Sequence, residues 1–179
     1  MNGQLAPPQL GHECLAWAKA AGYKCEVDAA LTRLVPVSGE GTRYLIDWHR
    51  DRLRLSEYLP GATDTDEVVL YAATTPVLET FLMGVLGDDV RDTLALPFLE
   101  LPWSADQLAD GFELTTSRPG SLTLVRSGHG PLAGGGAGVE GLVKLVPLSH
   151  LLRWDLASVK ASFLDPGGRP LLADGRYTR

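Results

Sequence analysis

The sequence predicts an α+β fold, an antiparallel sheet with helices packed on it in a single domain, and three observations carry that expectation. Short runs of period-two alternation follow one another through residues 31–56 with only polar turns between them, the pattern of an antiparallel meander. A stripe of apolar residues at helical spacing, Leu78, Phe81, Leu82, Val85 and Leu86, stands outside that meander and fits a helix laid on a sheet. Strands arrive in consecutive groups, without the strand–helix–strand alternation of a parallel sheet. At 179 residues, 45% of them hydrophobic, the chain is long enough for one sizeable core and too short for two ordinary domains, so residues 1–179 form one unit.

Taken in order, Leu10, Cys14, Trp17, Ala18 and Ala21 recur at helical spacing, and Gly22 stands where a C-terminal cap belongs. Leu31, Arg33 and Val35 oppose Thr32 and Leu34, the Gly39-Glu40-Gly41 segment turns the chain, and Tyr44, Ile46 and Trp48 alternate with Arg43, Leu45 and Asp47. Leu53 and Leu55 continue the alternation after a polar turn, and the run Val68 to Ala73 adds a strand beyond an acidic loop. Thr75 before Pro76 starts the apolar-striped helix, with Glu79 in its first turn; Gly87 closes it, and Asp88 to Thr93 add at most a short turn. Pro97 and Pro102 hold the next segment extended. Ser104 heads a short helix through Leu108, and Phe112–Thr116 and Leu122–Val125 form a hairpin around Arg118-Pro119-Gly120. Glycine density makes residues 128–141 a flexible loop; Leu142 to Val146 reads as a buried strand, Ser149 to Trp154 as a helical turn, and Leu156 to Leu164 as a last helix stopped by Pro166-Gly167-Gly168.

The composition narrows the function classes. A net charge of -6 with no basic run disfavours nucleic acid, whose phosphates demand clustered Lys and Arg, and suits a basic protein partner better. No stretch approaches the roughly 20 apolar residues of a membrane helix, and MNGQLAPPQL lacks the basic start and apolar core of a signal peptide, which predicts a cytoplasmic protein. Cys14 and Cys25 make no disulfide framework and are expected as buried, inert thiols.

Motifs for chemistry fail one by one. Gly136-Ala137-Gly138-Val139-Glu140-Gly141 spells GxGxxG, but a dinucleotide cradle needs a buried strand before it and a helix after it, whereas here glycines precede and a strand-like run follows. Asp64, Asp66 and Glu67 begin like a calcium loop, yet its fifth position is Val68 and no glycine or distal glutamate follows in register. Asp88, Asp89 and Asp92 form an acidic patch with no neighbouring histidine or cysteine to complete a metal site. His12, His49, His129 and His150 stand alone, and the adjacent Ser149 and His150 diverge on any regular element, so they make no nucleophile–base pair with each other. No catalytic, cofactor-binding or metal residue emerges. Trp17 and Trp48 lie on apolar faces; Trp103 and Trp154 sit in contexts enriched at interfaces, although core packing is the simpler reading of each.

Two stretches taken together are more specific than any of these motifs: LETFLMGVLGDDVRDTLALPFLELPWSADQLADGFEL, and LVPLSHLL followed by VKASFLDPGGRPLLADGRYT. From about Thr75 to Thr178 the chain resembles the TNT antitoxin family, the actinobacterial immunity proteins that neutralise the tuberculosis necrotizing toxin and its relatives; the first 70 residues match less clearly. The resemblance implies a partner and no cofactor. Members bind a secreted NAD glycohydrolase toxin in the producing cell's cytoplasm and cover its active site, which predicts a 1:1 complex with a cognate toxin. Exposure, charge and mobility make Asp64, Asp66, Glu67, Asp88, Asp89 and the loop near His129 candidate contacts. Two other classes remain open at this stage. One is a small enzyme or ligand-binding protein, if Ser149, His150 and a distant carboxylate converge. The other is a secretion chaperone that holds the toxin without blocking it.

Overall fold

The computed structural model describes residues 6–61, 65–118, 120–173 and 176–177. Helix α1 (His12–Ala20) leads into five strands, β1 (Tyr23–Val27), β2 (Leu31–Pro36), β3 (Arg43–His49), β4 (Arg52–Tyr58) and β5 (Glu67–Ala72). Helix α2 (Thr75–Thr93) and a 3-10 turn (Ala105–Gln107) precede β6 (Phe112–Arg118), β7 (Ser121–Arg126) and β8 (Gly130–Gly134). Helices α3 (Gly138–Leu151) and α4 (Leu156–Leu164) follow, then a small ladder of β9 (Leu172–Ala173) with β10 (Arg176–Tyr177). The order in the main sheet is β1-β2-β3-β4-β5-β8-β7-β6, antiparallel throughout. It is the α+β architecture the alternation predicts. The meander β1–β5 meets the β6–β8 group through a short β5–β8 ladder, Tyr71↔Gly134 and Ala72↔Ala133, continued by the Ala73 amide donating to the Leu132 carbonyl at 2.8 Å.

Alternation sorts the sheet into two faces. Leu34, Ile46, Leu53 and Leu55 are fully buried on the face the helices cover, while Arg33, Asp47, Arg52 and Arg54 lie between them on the other. The N-terminal segment seals the covered side near β3: Trp48 Nε1 donates to the Ala6 carbonyl at 3.0 Å. Trp17, in the core, donates to the Met83 carbonyl at 3.0 Å and ties α1 to α2. Strand β1 escaped the sequence reading because it is an edge strand on which only Tyr23 is buried, so it shows no apolar alternation.

Helix α2 departs from expectation at Gly87. The glycine does not end the helix, which continues to Thr93 with Val90 and Arg91 buried. A Cβ at Gly87 would lie 2.3 Å from the Phe163 ring, so the missing side chain admits α4 and has no capping role. Glu79 is not a solvated first-turn carboxylate either: it is 8% exposed and accepts the amide of Gly11, holding the start of α1.

Residues 128–141, read as a loop, contain β8 and the first turn of α3, and Leu142 to Val146 is helix and not strand. Gly141, Leu145, Leu148 and Leu152 keep helical spacing and face inward, a period hidden in sequence by the surrounding apolar residues. Pro147 lies inside the helix, where its missing N–H argues against helix in sequence terms. Strand β8, built from GPLAG, has low intrinsic strand propensity and exists because it is bonded on both sides, to β5 and β7.

Candidate functional site

The groups expected to carry chemistry are tied down structurally. Ser149 is fully buried; its hydroxyl accepts from the Ala109 amide at 3.1 Å and donates to the Val146 carbonyl at 2.6 Å. His150, also buried, has Nε2 2.7 Å from the Gln107 carbonyl. A carbonyl only accepts, so Nε2 carries the proton, and the pair fastens the 3-10 turn to α3. Among the described residues no cluster of three or more His, Cys, Asp or Glu is arranged to hold a metal ion, and no helix is long and apolar enough to cross a membrane.

The GxGxxG stretch does lie between a strand and a helix, contrary to the sequence expectation, yet its glycines serve packing. A Cβ at Gly141 would lie 2.3 Å from the Gly136 carbonyl oxygen, and one at Gly136 would lie 2.5 Å from the Glu140 carboxylate. The helix start is thus occupied by its own acidic side chain, itself paired with Lys144 at 2.8 Å. Helix α3 leads on to α4 and not to a parallel strand, so the crossover that forms a dinucleotide site is missing.

Of the acidic residues singled out, Asp64 lies outside the described residues. Asp66 and Glu67 are exposed at the start of β5, where Glu67 stands opposite Glu57 of β4. Asp88 and Asp89 are partly buried on α2. Tyr23 on β1 and Tyr44 on β3 pack with ring centroids 5.7 Å apart, and Asp89 acts on both hydroxyls. Burial together with Asp89 pushes the Tyr23 hydroxyl up to about 12. Burial also raises the Asp89 carboxyl, the neighbouring Tyr23 hydroxyl opposing it and Asp92 adding to it. Asp88 is raised by burial and then by Asp89, against the pull of Arg91, and its Oδ1 is buried with no hydrogen-bond partner.

Asp88 opens onto a cleft of about 280 Å³ between α2, α3 and the covered face of the sheet. Phe81, Val85, Leu101 and Val143 supply apolar wall, and Glu57 adds a second carboxylate. The facing Lys144 is already engaged by Glu140. The structure therefore joins the β4–β5 region to the α2 patch through Glu57, a residue the sequence reading did not single out. The signal was its register opposite Glu67. His129 lies elsewhere, exposed in the β7–β8 turn with Nδ1 3.2 Å from the Ser127 carbonyl. The segment after α2 exposes Phe98 at 75% and Trp103 at 56%, which overturns core packing as the reading of Trp103. Cys25 is likewise exposed, and Cys14 alone is buried.

One turn beyond Asp88 on α2 lies a residue the sequence reading passed over. Arg91 is 1% exposed and donates to four carbonyls: Nε to Pro97 at 2.7 Å, Nη1 to Phe163 and Asp165 at 2.8 Å each, and Nη2 to Pro166 at 3.0 Å. One guanidinium thus binds α2 to the LALPFL and FLDPGG stretches.

The sequence model of the family described as Immunity protein 61 matches residues 17–171. Two curated relatives are similar. They are the "Immunity factor for TNT homolog" of Mycobacterium bovis (strain BCG / Pasteur 1173P2) and the "Immunity factor for TNT" of Mycobacterium tuberculosis (strain ATCC 25618 / H37Rv). Each is 30% identical over 103 residues, 56% of this chain and 56% of the relative, so the match spans about half the length of either. A solved structure, "Rv3902c from M. tuberculosis", superposes with a TM-score of 0.78 at 25% identity, covering 96% of this chain and 95% of that one. The match from residue 17 takes in the meander, which by resemblance alone stood apart.

Proposed function

Because the chain belongs to the Immunity protein 61 family, we propose that it protects its host against a secreted NAD glycohydrolase toxin of the tuberculosis necrotizing type, binding the toxin 1:1 in the cytoplasm and covering its active site. Family membership makes the chain an immunity protein and points to a non-enzymatic inhibitor. The choice of toxin rests on one observation, the 30% identity to relatives named as immunity factors for TNT.

The cleft beside Asp88 supports a contact role for this side of the molecule. Two carboxylates, Glu57 and Asp88, sit in a partly apolar setting with the nearby lysine already paired, an arrangement that favours a basic side chain from a partner. Asp66, Glu67 and Asp89 extend the negative field around it, and the glycine-rich segment near His129 remains a separate candidate contact. A stable complex needs about 1,200–2,000 Å² of interface, several times what one cleft offers, so flanking loops must contribute.

The test is NAD hydrolysis by a purified toxin domain titrated with this protein. Loss of activity with a sharp end point near equal amounts supports the proposal. Complex formation on a sizing column with hydrolysis unchanged identifies a chaperone instead. Neither binding nor inhibition with toxins from the same neighbourhood removes the NAD glycohydrolase reading.

A further inference from the structure

A second cleft lies on the opposite side, on the sheet face that no helix covers. It is a shallow groove of about 560 Å³ running from the β3–β4 hairpin across β5, β8 and β7 to β6. Its two ends differ in chemistry. At the hairpin end stand His49, Arg50 and Arg52, with Asp51 beside them; at the other end stands the exposed Thr115, and Tyr71 lies between. The His49 ring packs on Tyr71 with centroids 5.6 Å apart, fixing one wall.

Of the other arginines on this face, Arg43 is in no ion pair among the described residues, but its Nε is buried, whereas two are matched. Arg54 makes a bidentate pair with Asp47 at 2.9 and 2.5 Å, and Arg33 pairs with Asp28 at 2.6 Å. Among the described residues Arg50 and Arg52 are in no ion pair, in a chain whose net charge is -6. Backbone geometry adds an independent sign. His49 pairs with Arg52, so Arg50 and Asp51 form a two-residue hairpin turn, and Arg50 has φ +60°. Glycine, asparagine or aspartate is the usual occupant of such a position. An arginine held there at a steric cost that glycine avoids points to a use for its side chain.

We propose that this groove binds an extended acidic segment of a partner protein, with carboxylates on Arg50 and Arg52 and the chain running over Tyr71 toward Thr115. Guanidinium groups match carboxylates through paired N–H donors. From β4 to β6 is four strand spacings, about 19 Å, which an extended chain spans in about six residues. The groove is independent of the acidic cleft on the helical side and stands whether or not the toxin reading holds.

The probe is a blocked, fluorescently labelled hexaglutamate peptide, read by anisotropy at 20 and 300 mM salt. The wild-type protein should bind it at low salt and release it at high salt. Arg50→Gly with Arg52→Ala should weaken binding about five- to tenfold, as expected for two exposed charge pairs, with an unchanged or higher melting temperature. Lys19→Ala with Lys160→Ala removes the same charge from exposed sites on α1 and α4 and should change affinity less than about twofold. Equal loss in both double variants would reduce the effect to net charge and overturn the groove, as would failure of the wild type to bind at 20 mM salt. Tighter binding of a thymidine hexanucleotide than of the peptide would overturn the proposed partner class.

Discussion

Replacing Arg91 tests whether one buried guanidinium holds the C-terminal turn to α2. Its four acceptors are backbone carbonyls at 2.7–3.0 Å, and hydrogen bonds to a charged donor contribute about 1.5–3 kcal/mol each when removed singly. Their sum overstates the effect. Pro97 and Pro166 are exposed, so their carbonyls regain water in a variant, and removing the charge recovers part of its desolvation cost. Phe163 is fully buried, and its carbonyl has no such relief. Arg91→Met should therefore lose about 3 kcal/mol. In urea, with a slope of about 2–3 kcal/mol/M for a chain of this size, the midpoint should fall by about 1–1.5 M, followed through the buried Trp17. Arg91→Lys should do no better than Met, because the charge stays buried while a compact ammonium spans fewer of the four carbonyls. Near-wild-type stability of the lysine variant would show that the site needs only positive charge near Asp88 and Asp165, and the fork argument would fall.

Three further outcomes follow from the geometry. Gly87→Ala gains up to about 1 kcal/mol of helix propensity but places a methyl 2.3 Å from the Phe163 ring; overpacking of about 1–3 kcal/mol should win, and a raised melting temperature would mean α4 is not seated there. Asp88 has a folded pKa raised by burial, so the native state binds its proton more tightly than the unfolded chain. Its favourable contribution is present below the unfolded value, near pH 4, and is lost as pH rises through the folded one. Asp88→Asn should exceed the wild type in urea midpoint at pH 7 and lose that advantage below about pH 4; an advantage of the same size at both pH values would refute the assignment to titration. Finally, Cys25 is exposed whereas burial pushes the Cys14 thiol up to about 12, so a thiol reagent should modify one cysteine per native chain and two after unfolding.

Wherever local pattern and tertiary environment agree, the fold was legible. The alternation around Tyr44 and Ile46 predicted β3, and the stripe from Leu78 to Leu86 predicted α2, because one buried face dictates those periods. The errors share a cause. Gly87, Gly136 and Gly141 read as breaks because glycine is costly inside regular elements, but in the folded chain each gives room to something from elsewhere: the Phe163 ring, the Glu140 carboxylate, the Gly136 carbonyl. Strand β8 and helix α3 were missed for the same reason, since neither owes its form to its own residues alone.

The candidate site was half legible. Asp88 and Asp89 stood out by charge, but an acidic run on a helix reads equally well as a solvated face, and only the fold shows that both carboxylates are partly buried. Glu57 had no local signal beyond its register, and Arg91, inside the GDDVRD run, was not singled out. Yet Arg91 accounts physically for why the GDDVR, LALPFL and FLDPGG stretches, distant in sequence, together mark the resemblance: one side chain from the first bonds carbonyls of the other two. That bonding also braces the C-terminal part of α2, which carries Asp88 three residues before Arg91. An inhibitor gains from such bracing, because a contact surface already ordered in the free protein loses less entropy on binding.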